Sequence, residues 1–235
     1  MLPKDIATLF MPLDALALGY FLIAALGYRM IERSTFLGRR SLVGAIQEQR
    51  VRWMLNMSAR GDQRTLDVIL LNTLVQGNAF FASTTAIAIG GIAAILGSGE
   101  RAQGLLDRLP YAAPSTALMW EVKLMLIMAI FIFAFFKFAW AFRLGHYTAI
   151  MIGSTPERAS GSEGSCDAHA YRTARVAGLS AEHSNGGLRS FYYAIAALAW
   201  FYHPIAMIVA TTWVLLILIR RDFFSRSRRL ILEDV

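Results

Sequence analysis

The sequence predicts an all-α integral membrane protein, with about four transmembrane helices and two amphipathic helices beside them. Three observations carry that prediction. The 235 residues are 56% hydrophobic and only 17% charged, with a mean hydropathy of +0.48, whereas a soluble domain has about 45–50% apolar and 25% charged residues. The apolar residues gather into a few long blocks, and the bases flank those blocks. A disordered chain is excluded, an ordinary water-soluble enzyme is disfavoured, and one membrane domain over residues 1–235 is the expected organisation.

A bilayer core about 30 Å thick needs roughly 20 apolar helical residues. The first block that meets this is 9–28, interrupted by Pro12 and Asp14 near its start. It follows a terminus without a basic n-region or a small-residue cleavage site, so it reads as an uncleaved span rather than a signal peptide. The second span is 68–96 and the third 117–142. The fourth block, 191–219, is longer than one untilted span needs and holds His203-Pro204. Proline commonly kinks or breaks a helix. One kinked, tilted helix is the reading taken here, and two short helices that enter and return are the alternative.

Charge sets the orientation. Of 23 Lys plus Arg only three are lysine, against 16 Asp plus Glu, for a net charge of +7. Eight arginines lie between the first two spans and five follow the third, against two between the second and third. The positive-inside bias then puts both basic loops in the cytoplasm and the N-terminus outside. A conflict remains: if the last block crosses once, its tail, rich in arginine from Arg220 to Arg229, ends outside. Bases placed this way fit anionic headgroups, not nucleic acid.

The first basic loop has its own pattern. Leu42, Ile46, Trp53 and Met57 recur near helical spacing, with Arg50 and Arg52 on other sides, Ser41 as a start signal and Gly61 as a stop. An amphipathic helix over 41–60 is predicted, with Arg50, Arg52 and Trp53 as a surface for lipid or a partner. A second helix over 167–183 is predicted to stop at Asn185-Gly186-Gly187, after a mobile Gly/Ser-rich stretch over 154–165.

Several strings occur in order along the chain: Arg52-Trp53-Met54, Asn78-Ala79-Phe80-Phe81-Ala82-Ser83-Thr84-Thr85 running into Ile89-Gly90-Gly91, Arg189-Ser190-Phe191-Tyr192-Tyr193, Pro204, and Arg220-Arg221-Asp222-Phe223-Phe224-Ser225. Together they resemble the domain-of-unknown-function family 599, small multi-pass membrane proteins of bacteria and plants. The resemblance covers nearly the full chain. It implies a helical integral membrane protein and supplies no activity, substrate or catalytic residue.

Ionisable groups within a span cost roughly 2.5–3.5 kcal/mol each on insertion scales and normally face a partner or a cavity. Asp14, Glu121 and Lys123 lie at similar depth in spans that run the same way, so a polar cluster is predicted there, with Asp14 able to pair with Lys123. Lys137 is set against Asn72, Gln76 and Asn78 as a second, hydrogen-bonded cluster. Ser83, Thr84 and Thr85 read mainly as hydroxyls bonding their own backbone carbonyls. Ala82, Ala86, Gly90 and Ala94 form a face that lets another backbone approach. His203 is expected to satisfy a carbonyl freed by Pro204. His146, His169 and His183 lack metal spacing, and lone Cys166 forms no motif, so no metal and no cofactor is expected.

The functional expectation is an integral protein of the bacterial inner (cytoplasmic) membrane, a structural or accessory protein rather than an enzyme. It would bind membrane lipids, a protein partner or a second copy through its basic amphipathic cytoplasmic helices. The alternatives are a small transporter or channel using the intramembrane polar residues, and a membrane enzyme acting on a lipid-like substrate or quinone near His203 and the aromatics of the last block.

Overall fold

The computed structural model describes residues 12–33, 41–60, 64–98, 116–157 and 163–233. Of these, 93% are helical and none lies in a strand. In chain order the described helices are α1 (Pro12–Arg33), α2 (Leu42–Ala59), α3 (Thr65–Gly97), α4 (Ala117–Gly153), α5 (Glu163–Leu198), α6 (Pro204–Phe223) and α7 (Arg226–Glu233), with a 3₁₀ turn, Ala199–Phe201, between α5 and α6. Four segments, Pro12–Ile31, Thr65–Gly97, Ala117–Gly153 and Pro204–Ile231, are long and apolar enough to cross a membrane. Residues 9–11 of the first predicted span, the Gly- and Pro-bearing turn over 99–115, Gly61, and 158–162 of the Gly/Ser stretch lie outside the described residues.

Local chemistry explains the helix starts. The Ser41 hydroxyl accepts the N–H of Gly44 at 3.3 Å and that of Thr116 accepts the N–H of Met119 at 3.2 Å. Each satisfies one of the donors a helix leaves orphaned at its first turn.

The spine is the antiparallel pair α4 and α5. α4 runs eleven residues past the predicted 142, because Leu144, Thr148 and Ile152 continue its buried face one turn at a time. Its 37 residues make a rod of about 55 Å, well beyond a bilayer's apolar thickness. Register with α5 is read from Met151, whose carbonyl meets His169 Nε2 at 2.8 Å, then Ala141, whose carbonyl accepts from the Ser180 hydroxyl at 2.7 Å, then Phe131, whose ring meets Phe191 at 5.4 Å. Where the spine outruns the apolar slab, α2 packs on α5 and Met54, Met57, Leu71, Val75, Ile152, Ala170 and Ala174 form a second core. This end, which holds α2, α7 and the arginines, is called the basic end below.

α5 corrects two sequence readings. First, it passes straight through Asn185-Gly186-Gly187, the predicted stop. Gly187 is a contact residue here: a Cβ would sit 2.6 Å from the Phe138 ring. Small residues let helices approach closely, and that use gives the same letters as a helix end.

Second, the block over 191–219 is not one kinked helix. α5 ends at Leu198, and His203 takes an extended conformation (φ −161°, ψ 142°) and caps α6, its Nδ1 accepting the N–H of Ile205 at 3.1 Å. So the expected bond to a freed carbonyl is replaced by an N-terminal cap. Pro204 occupies the first helical turn, where its missing N–H costs nothing. α6 then returns alongside α5, bringing Arg221 to 6.0 Å from the Tyr192 ring. The arginine-rich tail thereby rejoins the basic end, which removes the charge conflict.

α1 runs parallel to α6, tied by Asp14 to Trp200, Tyr20 to Thr212 at 2.8 Å, and Tyr28 to Asp222. The larger core, including Phe21, Ile127, Tyr193, Trp200, Met207 and Leu218, fills the space among α1, α4, α5 and α6. α3 packs on α4 through Leu71, Val75, Asn78, Thr85 and Ile92. Gly145 admits Val75, whose methyl carbon would lie 2.2 Å from an added Cβ. The small-residue face of α3 is on the other side: Ala86, Gly90 and Ala94 are exposed, and an added Cβ at Gly90 would meet nothing within 4 Å. Within the described chain no helix takes up the approach predicted for it.

Candidate functional site

The predicted polar residues separate into distinct groupings. At the far end, Asp14 and Lys123 are 8% and 3% exposed, and Trp200 is fully buried between them. The Trp200 indole donates from Nε1 to Asp14 Oδ1 at 2.7 Å, and Lys123 Nζ lies 5.5 Å from the ring centroid. Opposite charges thus share one aromatic side chain in an apolar surround, where charge is stable only with a partner. Glu121 does not join them. Two residues before Lys123, it falls about 200° round the helix and is exposed.

At the basic end, Tyr28 Oη donates to Asp222 Oδ2 at 2.5 Å and Arg221 Nε donates to Asp222 Oδ1 at 2.9 Å. Asp222 is 3% exposed, and Arg189, 8% exposed, stands near enough for its charge to act on Tyr28. Sequence reasoning did not single out this cluster. The one signal was Asp222 itself, an acid set directly after Arg220-Arg221 in an otherwise basic tail.

Between these clusters lies a cleft of about 320 Å³, bounded by α1, α4 and α5. It exists because α1 packs chiefly on α6 and stands off from α4, with Ala25, Ala129 and Gly186 leaving room along the walls. Phe21, Leu22, Leu26, Leu126 and Ile130 make the walls apolar, while Arg29, Lys137 and Arg189 gather toward the basic end with Glu182 as the one acid. The Arg29 guanidinium and Lys137 Nζ both lie 5.4 Å from the centroid of Phe133. Two cations on one ring gain from its quadrupole but repel one another. An anion placed between them relieves that repulsion.

Lys137 therefore lines this cleft and does not meet Asn72, Gln76 or Asn78. Asn72 and Gln76 are exposed, whereas Asn78 is buried and lines a separate cavity with Arg50 and Trp53. Arg52 is exposed and pairs with Glu48 at 3.4 Å on its own helix. Trp53 is turned inward, its Nε1 donating to Asp67 Oδ1 at 2.6 Å. Thr84 and Thr85 donate to the carbonyls of Phe80 and Ala82. The aromatics of the last block are distributed: Trp200 on Asp14, Tyr193 on Phe21, Phe201 on Trp120 and Tyr192 under Arg221.

The Ser190 hydroxyl donates to the Gly186 carbonyl at 3.1 Å. His146 Nδ1 contacts the Phe142 carbonyl at 2.9 Å, and buried Cys166 directs its Sγ to the carbonyls of Pro156 and Glu157. Among the described residues no three His, Cys, Asp or Glu side chains converge as a metal site would require.

A family model described as "Protein of unknown function, DUF599" matches residues 16–227. The chain belongs to the DUF599 family. The match takes in α2 to α6 entire and nearly all of α1, so every residue lining the cleft falls inside the DUF599 region, as does Asp222. No curated protein and no solved structure matches the chain.

Proposed function

We propose that this DUF599 chain is a non-catalytic integral membrane protein that binds an anionic lipid in the cleft between α1, α4 and α5. The observation that carries the reading is the meeting, in one cleft, of apolar walls with Arg29, Lys137 and Arg189 at one end. An acyl chain suits the walls and a phosphate suits the cations, and the volume lies in the usual range for small-molecule sites. The basic end is assigned to the cytoplasm by the positive-inside bias. Charge of that sign beside anionic headgroups fits the inner membrane of a bacterium.

The transport reading is less well supported. Asp14 and Lys123 close on Trp200 and neither lines the cleft that holds Lys137. An enzyme is less well supported again, since Ser190 is engaged by its own helix.

Native mass spectrometry of the detergent-solubilised protein tests the proposal, with phosphatidylglycerol and phosphatidylcholine offered in turn. Phosphatidylglycerol is expected to be retained preferentially, and Arg29→Gln with Lys137→Gln to weaken its retention at least about tenfold, the scale of a lost charge-assisted hydrogen bond. Equal retention of both lipids, or no effect of the double substitution, overturns it.

A further inference from the structure

The cavity between α2, α3 and α5 holds about 230 Å³ and shares no lining residue with the cleft. That is room for several waters or one small polyatomic ion. Arg50 is its single cation. Trp53, Asn78, Ser184 and Asn185 supply further polar groups, and the cavity's lining residues include no acid.

The surroundings of Arg50 make it unusual. Its Nη1 donates to Gln47 Oε1 at 3.3 Å, a neutral partner. Gln47 is itself fixed, its Nε2 donating to the Ala174 carbonyl at 3.0 Å and its amide lying where a Cβ on Gly178 would be. Asp67, an acid in the first turn of α3, is already held by Arg60 Nη2 at 2.9 Å and by the Trp53 indole. Burial presses the guanidinium toward its neutral form, and among the described residues no carboxylate counters that pressure. A half-buried guanidinium facing a polar cavity with only a neutral partner is a group prepared for an anion from outside.

We propose that this cavity is a second anion site, distinct from the lipid cleft, in which Arg50 takes a phosphate group with Asn78, Ser184 and Asn185 as neutral neighbours. Planar, forked guanidinium donors match a phosphate's oxygens two at a time. The phosphate can come free from solution or on the headgroup of a lipid, because the cavity lies at the basic end.

Thermal unfolding of the full chain in a neutral detergent separates the cases. Samples receive sodium phosphate, sodium chloride at matched ionic strength, or dihexanoyl phosphatidic acid. Phosphate is expected to raise the Tm by roughly 3–5 °C at ten times its Kd, and Arg50→Gln to abolish the rise. Arg50→Lys should keep part of it and Arg172→Gln, an exposed arginine of α5, all of it. If only phosphatidic acid raises the Tm, and does so through Arg50, the ligand is a headgroup. A rise that survives in Arg50→Gln, or none with either compound beyond the chloride control, overturns the proposal. Should Arg50→Gln fail to fold, Asn185→Leu on the opposite wall takes its place with the same readout.

Discussion

The far end and the basic end of the α1–α6 pair are built from similar parts and behave differently. At the far end one aspartate, one lysine and one indole close on each other, and all three are buried. At the basic end Tyr28, Asp222 and Arg221 close in the same way, yet Arg29, Lys137 and Arg189 line an open cleft beside them. The ratio of charges accounts for the difference. One acid facing one base leaves nothing to attract a further ion. Asp222 and Glu182 beside four bases leave this end positive among the described residues, which favours the approach of an anion.

If that contrast is right, the two ends respond unequally to substitution. The largest effect belongs to the far end. Asp14→Ala leaves Lys123 buried without its counter-charge and should destabilise the fold by about 3–5 kcal/mol, the usual result of removing one member of a buried pair. Asp14→Leu combined with Lys123→Met should recover much of the loss in thermal unfolding. A double variant as weak as the single one would show that the charges do not act together. Tyr28→Phe comes next. It removes one donor to Asp222 while Arg221 stays, so a loss of about 1–2 kcal/mol is expected, and a loss as large as that at Asp14 would erase the distinction between the ends. Smallest is Lys137→Gln. A cation facing an open cleft should change lipid-free stability by no more than about 0.5 kcal/mol, measured by denaturant titration. A larger loss would make Lys137 a structural pillar.

Much of the architecture was legible because it rests on local composition. A run of apolar residues at bilayer length marks the spans within Thr65–Gly97 and Ala117–Gly153 wherever their neighbours lie, and Ser41 marks the start of α2 through a bond three residues away. Meaning that depends on distant residues was not legible. Gly186-Gly187 reads as a helix stop until Phe138 is known to lie against it. Pro204 reads as a kink until α6 is seen to fold back. The polar half of α5 hid a continuous helix because its buried face is made of alanine, serine and threonine, which carry little hydropathic signal. Depth alone set Asp14 and Lys123 at the same end, but the indole that each of them meets comes from a residue 186 positions along the chain from Asp14.

The tie between the first and last long helices has a consequence for how the protein is made. Asp14, Tyr20 and Tyr28 emerge from the ribosome well before Trp200, Thr212 and Asp222, which complete them. Until then α1 carries a carboxylate and two phenols without their final company, so this tie closes only after α6 has been made. A chain truncated before residue 200 would therefore retain α1 to α5 as an unfinished bundle, with its polar groups exposed as a mark for cellular quality control.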